Sequence, residues 1–361
     1  MSENIAITIG RRIRQAREML GLSLRALAVE MQGALSHGAL NKYETGAMAP
    51  GSQALIHLSR ALKQPMDYFF REFEAAWTRE PCFRRRVSKL GVRERNSLLE
   101  RSLDYFERYR EIEEITGEFI PFHNPLPSSP AKSEAEVSAR AKQLRKAWNL
   151  GDDPLPNLQE LMELKGIKVY EIETSNEAFD GLYCTVNEQP VVVIASWLNR
   201  VIPRKRMTEV HELAHAVLHL PELEEAEEEK LVNRFASELL LPEEQFKSFW
   251  GAKRKAISLG ELIQMKAFFG ASIMAIVYRA RQLSLISKEA ANSFWLHVSK
   301  EGWRTNGEPG DDLVEAGKPN NRFHQLVLRG VSEQKISESR GAAMLKCSIE
   351  ALRGELKQTF A

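Results

Sequence analysis

The chain has 361 residues, 43% of them hydrophobic and 27% charged, with 50 Lys and Arg against 49 Asp and Glu for a formal net charge of +1. That length has room for two or three domains with a sizeable core, and the composition is that of an ordinary soluble chain. Cys82, Cys184 and Cys347 are too far apart for a metal knuckle, and no apolar run approaches the roughly 20 residues of a membrane span, so neither a thiolate zinc knuckle nor a membrane partner is expected. An odd number of cysteines without a signal peptide predicts a cytoplasmic chain with free thiols.

In chain order, residues 9–70 read as five short helices: 9–20, 23–31, 36–44, 52–62 and a last turn at 67–70. Ser23, Ser36 and Ser52 are expected N-caps, and Gly21 and Gly46 are expected stops. Up to Lys63 there are 8 Lys and Arg against 4 Asp and Glu, so a local basic excess sits inside a nearly neutral chain. The run Leu22-Ser23-Leu24-Arg25-Ala26-Leu27-Ala28-Val29-Glu30-Met31, followed by Leu35-Ser36-His37-Gly38-Ala39-Leu40-Asn41-Lys42-Tyr43-Glu44-Thr45-Gly46, resembles the Xre/Cro repressor family of helix-turn-helix domains. The resemblance implies that the third helix enters the major groove, with His37, Gly38, Asn41 and Lys42 at base edges and Arg25 and Ser36 on phosphates. Such domains usually read operators as dimers, which predicts a homodimer.

A connector over 72–115 carries Phe73, Trp77, Phe83, Val87, Leu90, Leu98, Leu99, Leu103, Tyr105, Phe106, Tyr109 and Ile112 at mixed three and four spacings. It is expected to be a long helix broken near Pro81 and Gly91, with its apolar stripe as the dimer contact. Arg79, Arg84, Arg85, Arg86, Lys89, Arg93 and Arg95 outweigh Glu80 and Glu94, and are read as a wet helix face rather than an extension of the DNA footprint. Prolines at 121, 125, 127 and 130 then mark a linker.

Helices are expected at 133–150 and 156–165, and three strands at 166–172, 179–186 and 190–195, where β-branched and aromatic runs are bounded by turn residues. These strands either build core only or also offer an edge to an extended substrate peptide. Next comes His211-Glu212-Leu213-Ala214-His215-Ala216-Val217-Leu218-His219-Leu220. Histidines four apart share one helix face, which suits two ligands of one tetrahedral Zn2+, while Glu212 sits beside the metal position as a general base. Such a base serves hydrolysis, because zinc lowers the pKa of a water from about 15.7 toward about 7. A third ligand is needed, and among Glu227, Glu228, Glu229 and Glu238 the spacing does not choose; most of the acidic run from Glu222 to Glu229 reads as a solvated connection. His219 is read as structural or as a support to a ligand, since three side chains along one straight helix cannot surround one ion.

Arg206-Met207-Thr208-Glu209-Val210 before the His-Glu-x-x-His segment, together with Glu229-Lys230-Leu231-Val232-Asn233-Arg234-Phe235-Ala236-Ser237-Glu238-Leu239-Leu240-Leu241-Pro242 after it, resembles the ImmA/IrrE family of metallopeptidase-like domains. That resemblance implies Glu229 as the third metal ligand. It also implies packing helices after the site, here 258–270 and 272–283 with Ser258 and Ser272 as caps. Residues 306–321 are expected to form a loop, and 332–356 return to helical spacing with no assigned role.

The expected fold is therefore mainly α: a five-helix helix-turn-helix DNA-binding bundle at 1–72, a helical connector and Pro-rich linker at 73–130, an α+β zincin-like domain with a three-stranded sheet at 131–285, and C-terminal loop and helices at 286–361. The order of modules resembles bacterial or phage regulators and implies a transcriptional regulator that binds operator DNA and carries a zinc-dependent endopeptidase acting on a repressor, an antitoxin or itself. The alternatives are a repressor whose zinc fold senses a ligand or metal without proteolysis, or the antitoxin and autorepressor of a toxin pair.

Overall fold

The computed structural model describes residues 2–72, 77–83, 90–315 and 322–358. The N-terminal bundle is built from α1 (Ser2–Met19), α2 (Leu24–Glu30), α3 (His37–Glu44), α4 (Ser52–Leu62) and a 3-10 turn, Met66–Phe70. The Ser23 and Ser36 hydroxyls accept from the Ala26 and Ala39 amides, satisfying first-turn donors as expected. Ser52 instead lies inside α4, whose cap position falls on Gly51. Helix α1 begins earlier than residue 9, and Ala6 in that earlier turn is buried as Ile9 and Ile13 are. The Tyr43-Glu44-Thr45-Gly46 segment that closes α3 has a physical basis. Tyr43 is buried, Glu44 receives Arg17 at 2.7 Å, and Gly46 turns the chain at φ +70° where a Cβ would meet Ile7.

The connector departs from the expected helix in its first part, while the expected break at Gly91 coincides with the start of the next helix. A strand, β1 (Trp77–Phe83), precedes α5 (Val92–Thr116), which starts after Gly91 and stops at Gly117 in the left-handed region. Pro81 is unsuited to a helix interior, and β1 finds partners on a distant strand instead. Of the residues weighed in the connector, Phe73, Arg84, Arg85, Arg86, Val87 and Lys89 lie outside the described ones.

After the proline-rich stretch come α6 (Glu134–Ala147), α7 (Leu158–Leu164), β2 (Lys168–Ile172), β3 (Gly181–Val186), β4 (Gln189–Ala195), α8 (Ile202–Val217) and α9 (Glu225–Leu240). The three expected strands are present, and β1 extends them to a four-stranded sheet in the order β1-β3-β4-β2. β2 runs parallel to β4, whereas β3 is antiparallel to both β4 and β1. Residues 191–194 of β4 are fully or nearly fully buried, as a central strand covered on both faces requires. β3 lies close on α8, since a Cβ at Gly181 would meet Val193 O at 2.9 Å and Thr208 Cγ2 at 3.1 Å. The proline-rich stretch is pinned to α8, because Asn124 donates to Val217 O and the Ala131 amide to His219 O.

Downstream lie α10 (Glu243–Trp250), α11 (Leu259–Phe269), α12 (Ile273–Gln282), α13 (Lys288–Glu301), α14 (Trp303–Asn306), α15 (Arg322–Ser332), α16 (Glu338–Leu345) and α17 (Ile349–Gln358). The expected loop at 306–321 contains a 3-10 turn, Asp311–Leu313, and its part from 316 lies outside the described residues.

Helix α5 is the spine on which the parts meet. Near its start the Ser97 hydroxyl donates to Met19 O of α1. At its middle Tyr105 stacks on Tyr170 of β2 with ring centroids 4.0 Å apart, and Leu98, Leu103 and Phe106 enter the core around the sheet. Toward its end Tyr109 and Ile112 pack against Phe323, Leu326, Val327 and Met344 of the C-terminal helices. On α5, the part of the expected dimer stripe at Leu98, Leu103, Phe106, Tyr109 and Ile112 is therefore buried within the chain, so the amphipathic pattern there was a sound signal of burial but not of its partner.

Candidate metal centre and nucleic-acid interface

Helix α8 starts with Pro203 in its first turn and buries Val210, Leu213, Ala214 and Val217 in the main core. That burial fixes its rotation, so His211 and His215 emerge one turn apart toward α9. Their Nε2 atoms lie 3.3 Å apart. Helix α9 packs on α8 and brings Glu229 Oε1 to 3.4 Å from His211 Nε2. One donor atom from each of the three residues falls within 4.8 Å of the others. Two imidazole nitrogens and a carboxylate oxygen on two facing helices fit a Zn2+ site that keeps its fourth position open.

The other carboxylates weighed for this role are otherwise disposed. Glu238 pairs with the fully buried Arg279 at 2.7 Å, Glu227 is exposed, and Glu228 Oε1 stands 3.6 Å from Nδ1 of His215, the ring nitrogen turned away from the cluster. The acidic run is not a plain connection from Glu225 onward. It forms the first turn of α9, where Glu225, Glu227 and Glu228 complement the positive end of the helix dipole. His219 lies beyond the end of α8 and is exposed, and its carbonyl accepts the Ala131 amide.

Two residues that sequence reasoning passed over support the cluster. Asn233 Oδ1 lies 3.3 Å from Nδ1 of the fully buried His211. A carbonyl there favours the proton on Nδ1 and leaves the Nε2 lone pair facing Glu229 and His215. The signal was available, because Asn233 follows Glu229 by one turn on the same face of α9. Tyr183 of β3 lies parallel to the His215 ring, with an interplanar angle of 13°. Glu212 is 1% exposed, next to His211 and inside the protein. One turn earlier Glu209 is also buried, which pushes its carboxyl up to about 7, and Gln159 donates to it at 2.9 Å.

In the N-terminal bundle, Leu40 and Tyr43 turn α3 into the core and leave His37, Gly38, Asn41 and Lys42 exposed on its outer side. Arg25 on α2 and Ser36 at the cap of α3 are exposed as well, so all six expected contact residues are accessible. Ser36 has a second duty in capping α3.

Residues 13–69 match the family model described as helix-turn-helix, and residues 162–281 match a peptidase family model described as the IrrE N-terminal-like domain. The chain joins a helix-turn-helix domain to an IrrE-like domain. No curated protein matches it. The IrrE-like match runs from within α7 to within α12 and takes in His211, Glu212, His215, Glu229 and Asn233. β1, α5, α6 and α13 to α17 fall outside both matches. With a DNA-binding module and a peptidase-family module on one chain, the protein is a DNA-binding regulator carrying a peptidase-like domain. No single helix among the described residues is long and apolar enough to cross a membrane.

Proposed function

We propose that this regulator is a zinc-dependent endopeptidase that acts on a regulatory protein, either its own chain or a partner. The observation that carries the reading is the convergence of His211, His215 and Glu229 within 4.8 Å, with the buried Glu212 next to the first ligand. A purely structural zinc site has no use for a base at that position. When bound, zinc supplies Lewis acidity toward a water and a peptide carbonyl. The Glu212 carboxylate takes the proton from the attacking water and returns it to the departing amine. His211 and His215 from one helix and Glu229 from the other would hold the ion, with Asn233 orienting His211 and the Tyr183 ring parallel to His215.

On the DNA side, Asn41 and Lys42 read base edges together with His37 and Gly38, while Arg25 and Ser36 hold the phosphate backbone of an operator that a homodimer spans. Replacing Asn41 and Lys42 by alanine is expected to abolish specific operator binding in a mobility-shift assay and leave the zinc content unchanged.

The test of the peptidase is cleavage by the zinc-loaded protein, with and without operator DNA, of its own chain and of candidate repressors and antitoxins. Cleavage by the parent and none by Glu212→Gln is the expected result. No cleavage by the parent, with DNA affinity that shifts when metal or a ligand is added, would make the IrrE-like domain a sensor instead.

A further inference from the structure

We propose that β1, the strand between the DNA reader and α5, is an internal occupant of the sheet edge at which an extended substrate peptide pairs, so that the resting protein blocks its own peptidase site; the word substrate rests on the peptidase reading above. β3 is the strand beside the metal helix. A Cβ at Gly181 would meet Thr208 Cγ2 of α8 at 3.1 Å, and two residues on, along the same face of the strand, Tyr183 lies parallel to His215. The register of β1 on β3 runs Trp77 to Val186, Arg79 to Thr185, Cys82 to Tyr183 and Phe83 to Leu182, antiparallel. An extended segment thus crosses the strand next to the metal ligands in the arrangement a peptide takes when it adds to an open sheet edge.

β1 is held more loosely than the rest of the sheet. Its pairing is interrupted between Trp77 and Arg79 and again between Arg79 and Cys82, and Pro81 has no amide to donate. By contrast β3 pairs with β4 at every position from Gly181 to Val186, and β2 with β4 from Lys168 to Ile172, without interruption. β2, β3 and β4 all lie inside the IrrE-like match at 162–281, and β1 does not. Taking β1 away leaves the matched sheet complete and opens the edge of β3.

The chain just before β1 is fixed to the DNA reader, because Arg12 donates to the carbonyls of Arg71 and Glu72. The strand is thus joined in sequence to a segment that is held by the DNA reader. Docked, the strand closes the edge; pulled away, it frees the edge for a peptide from a partner.

Binding rather than turnover tests the proposal, so a failure here is separable from a failure of the peptidase reading. The probe is a fluorescently labelled peptide with the sequence of residues 77–83, followed by anisotropy on full-length protein carrying Glu212→Gln. Replacing residues 77–83 by a Gly/Ser segment of equal length is expected to raise the affinity about 100-fold over the parent, if the strand is docked for roughly 99% of the time. A second, locked variant, Trp77→Cys with Val186→Cys in a Cys82→Ser background, should bind no peptide when oxidised and should return to the parent's affinity on reduction. The locked variant carries the test alone if the Gly/Ser protein does not fold. A folded Gly/Ser protein that binds no better than the parent, or an oxidised locked protein that binds as well as the reduced one, would overturn the proposal. Peptide binding as expected, with no cleavage by protein that keeps Glu212, would sustain the closed edge and end the peptidase reading.

Discussion

His211 meets two requirements of a metal ligand at once: full burial fixes its ring, and Asn233 at 3.3 Å accounts for the nitrogen that a bound metal would not use. Removing such a support typically costs a metal site 10- to 100-fold in affinity. Asn233→Ala is therefore expected to weaken zinc by about that factor in a chelator competition, while leaving the fold intact. His211, Glu212 and His215 were legible in the sequence because their spacing is local to one helix. Spacing alone did not choose Glu229, which only the family resemblance named, since which carboxylate of the acidic run faces the histidines depends on how α9 crosses α8. A second residue-scale prediction concerns Glu100 on α5, whose carboxyl burial and Glu18 push up to about 7. A raised carboxyl is fully compatible with the fold below its unfolded value near 4.5, and stability is lost as pH rises through about 7. Unfolding free energies at pH 5 and pH 8 should differ by about 2 kcal/mol more in the parent than in Glu100→Gln. Equal pH dependence in both proteins would count against a strained Glu100.

At the scale of elements, helix starts were readable where a serine caps them, since Ser23, Ser36 and Ser272 each accept an amide of the turn they open, whereas Ser52 and Ser258, also expected as caps, do not. β1 was not readable, since a strand that contains Pro81 and pairs with residues a hundred positions away is fixed by long-range contacts rather than by its own pattern. The C-terminal loop shows the same limitation. Glu308 reaches back to accept the Ile273 and Met274 amides at the start of α12, and with Asp311 it neutralises the fully buried Lys266. Glu308→Ala leaves a buried ammonium short of one partner and α12 short of a cap, so a loss of about 3 kcal/mol is expected in chemical denaturation. A change below about 0.5 kcal/mol would show that the loop merely rests there.

For the whole molecule, the decisive arrangement is that the DNA reader, the IrrE-like domain and the C-terminal helices share α5. Arg12 of α1, 1% exposed, forms a two-pronged ion pair with Glu107 of α5 at 2.6 and 2.8 Å, and Arg340 of α16 bridges Asp67 of the bundle and Glu111 of α5. Lys168 of β2 and Arg322 of α15 both reach Glu113 farther along the same helix. The apolar pattern announced that α5 is buried, but a pattern cannot say against what, and the dimer face read from it proved to be the internal seam. Removing one partner of a buried pair costs about 3–5 kcal/mol. Arg12→Met is therefore expected to split thermal unfolding into two calorimetric transitions, the first being the helix-turn-helix bundle; a single transition at the parent's temperature would contradict the seam.

The chemistry of the IrrE-like domain turns on whether the His211, His215 and Glu229 cluster holds zinc with Glu212 beside it rather than on it. The direct measurement is the zinc-to-protein ratio of the purified parent, of Glu212→Gln, and of a His211→Ala, His215→Ala double variant, each reloaded with zinc and freed of excess metal. Equimolar zinc in the parent and in Glu212→Gln, with none in the double variant, is the predicted result. Zinc retained by the double variant, or absent from the folded parent, would contradict it.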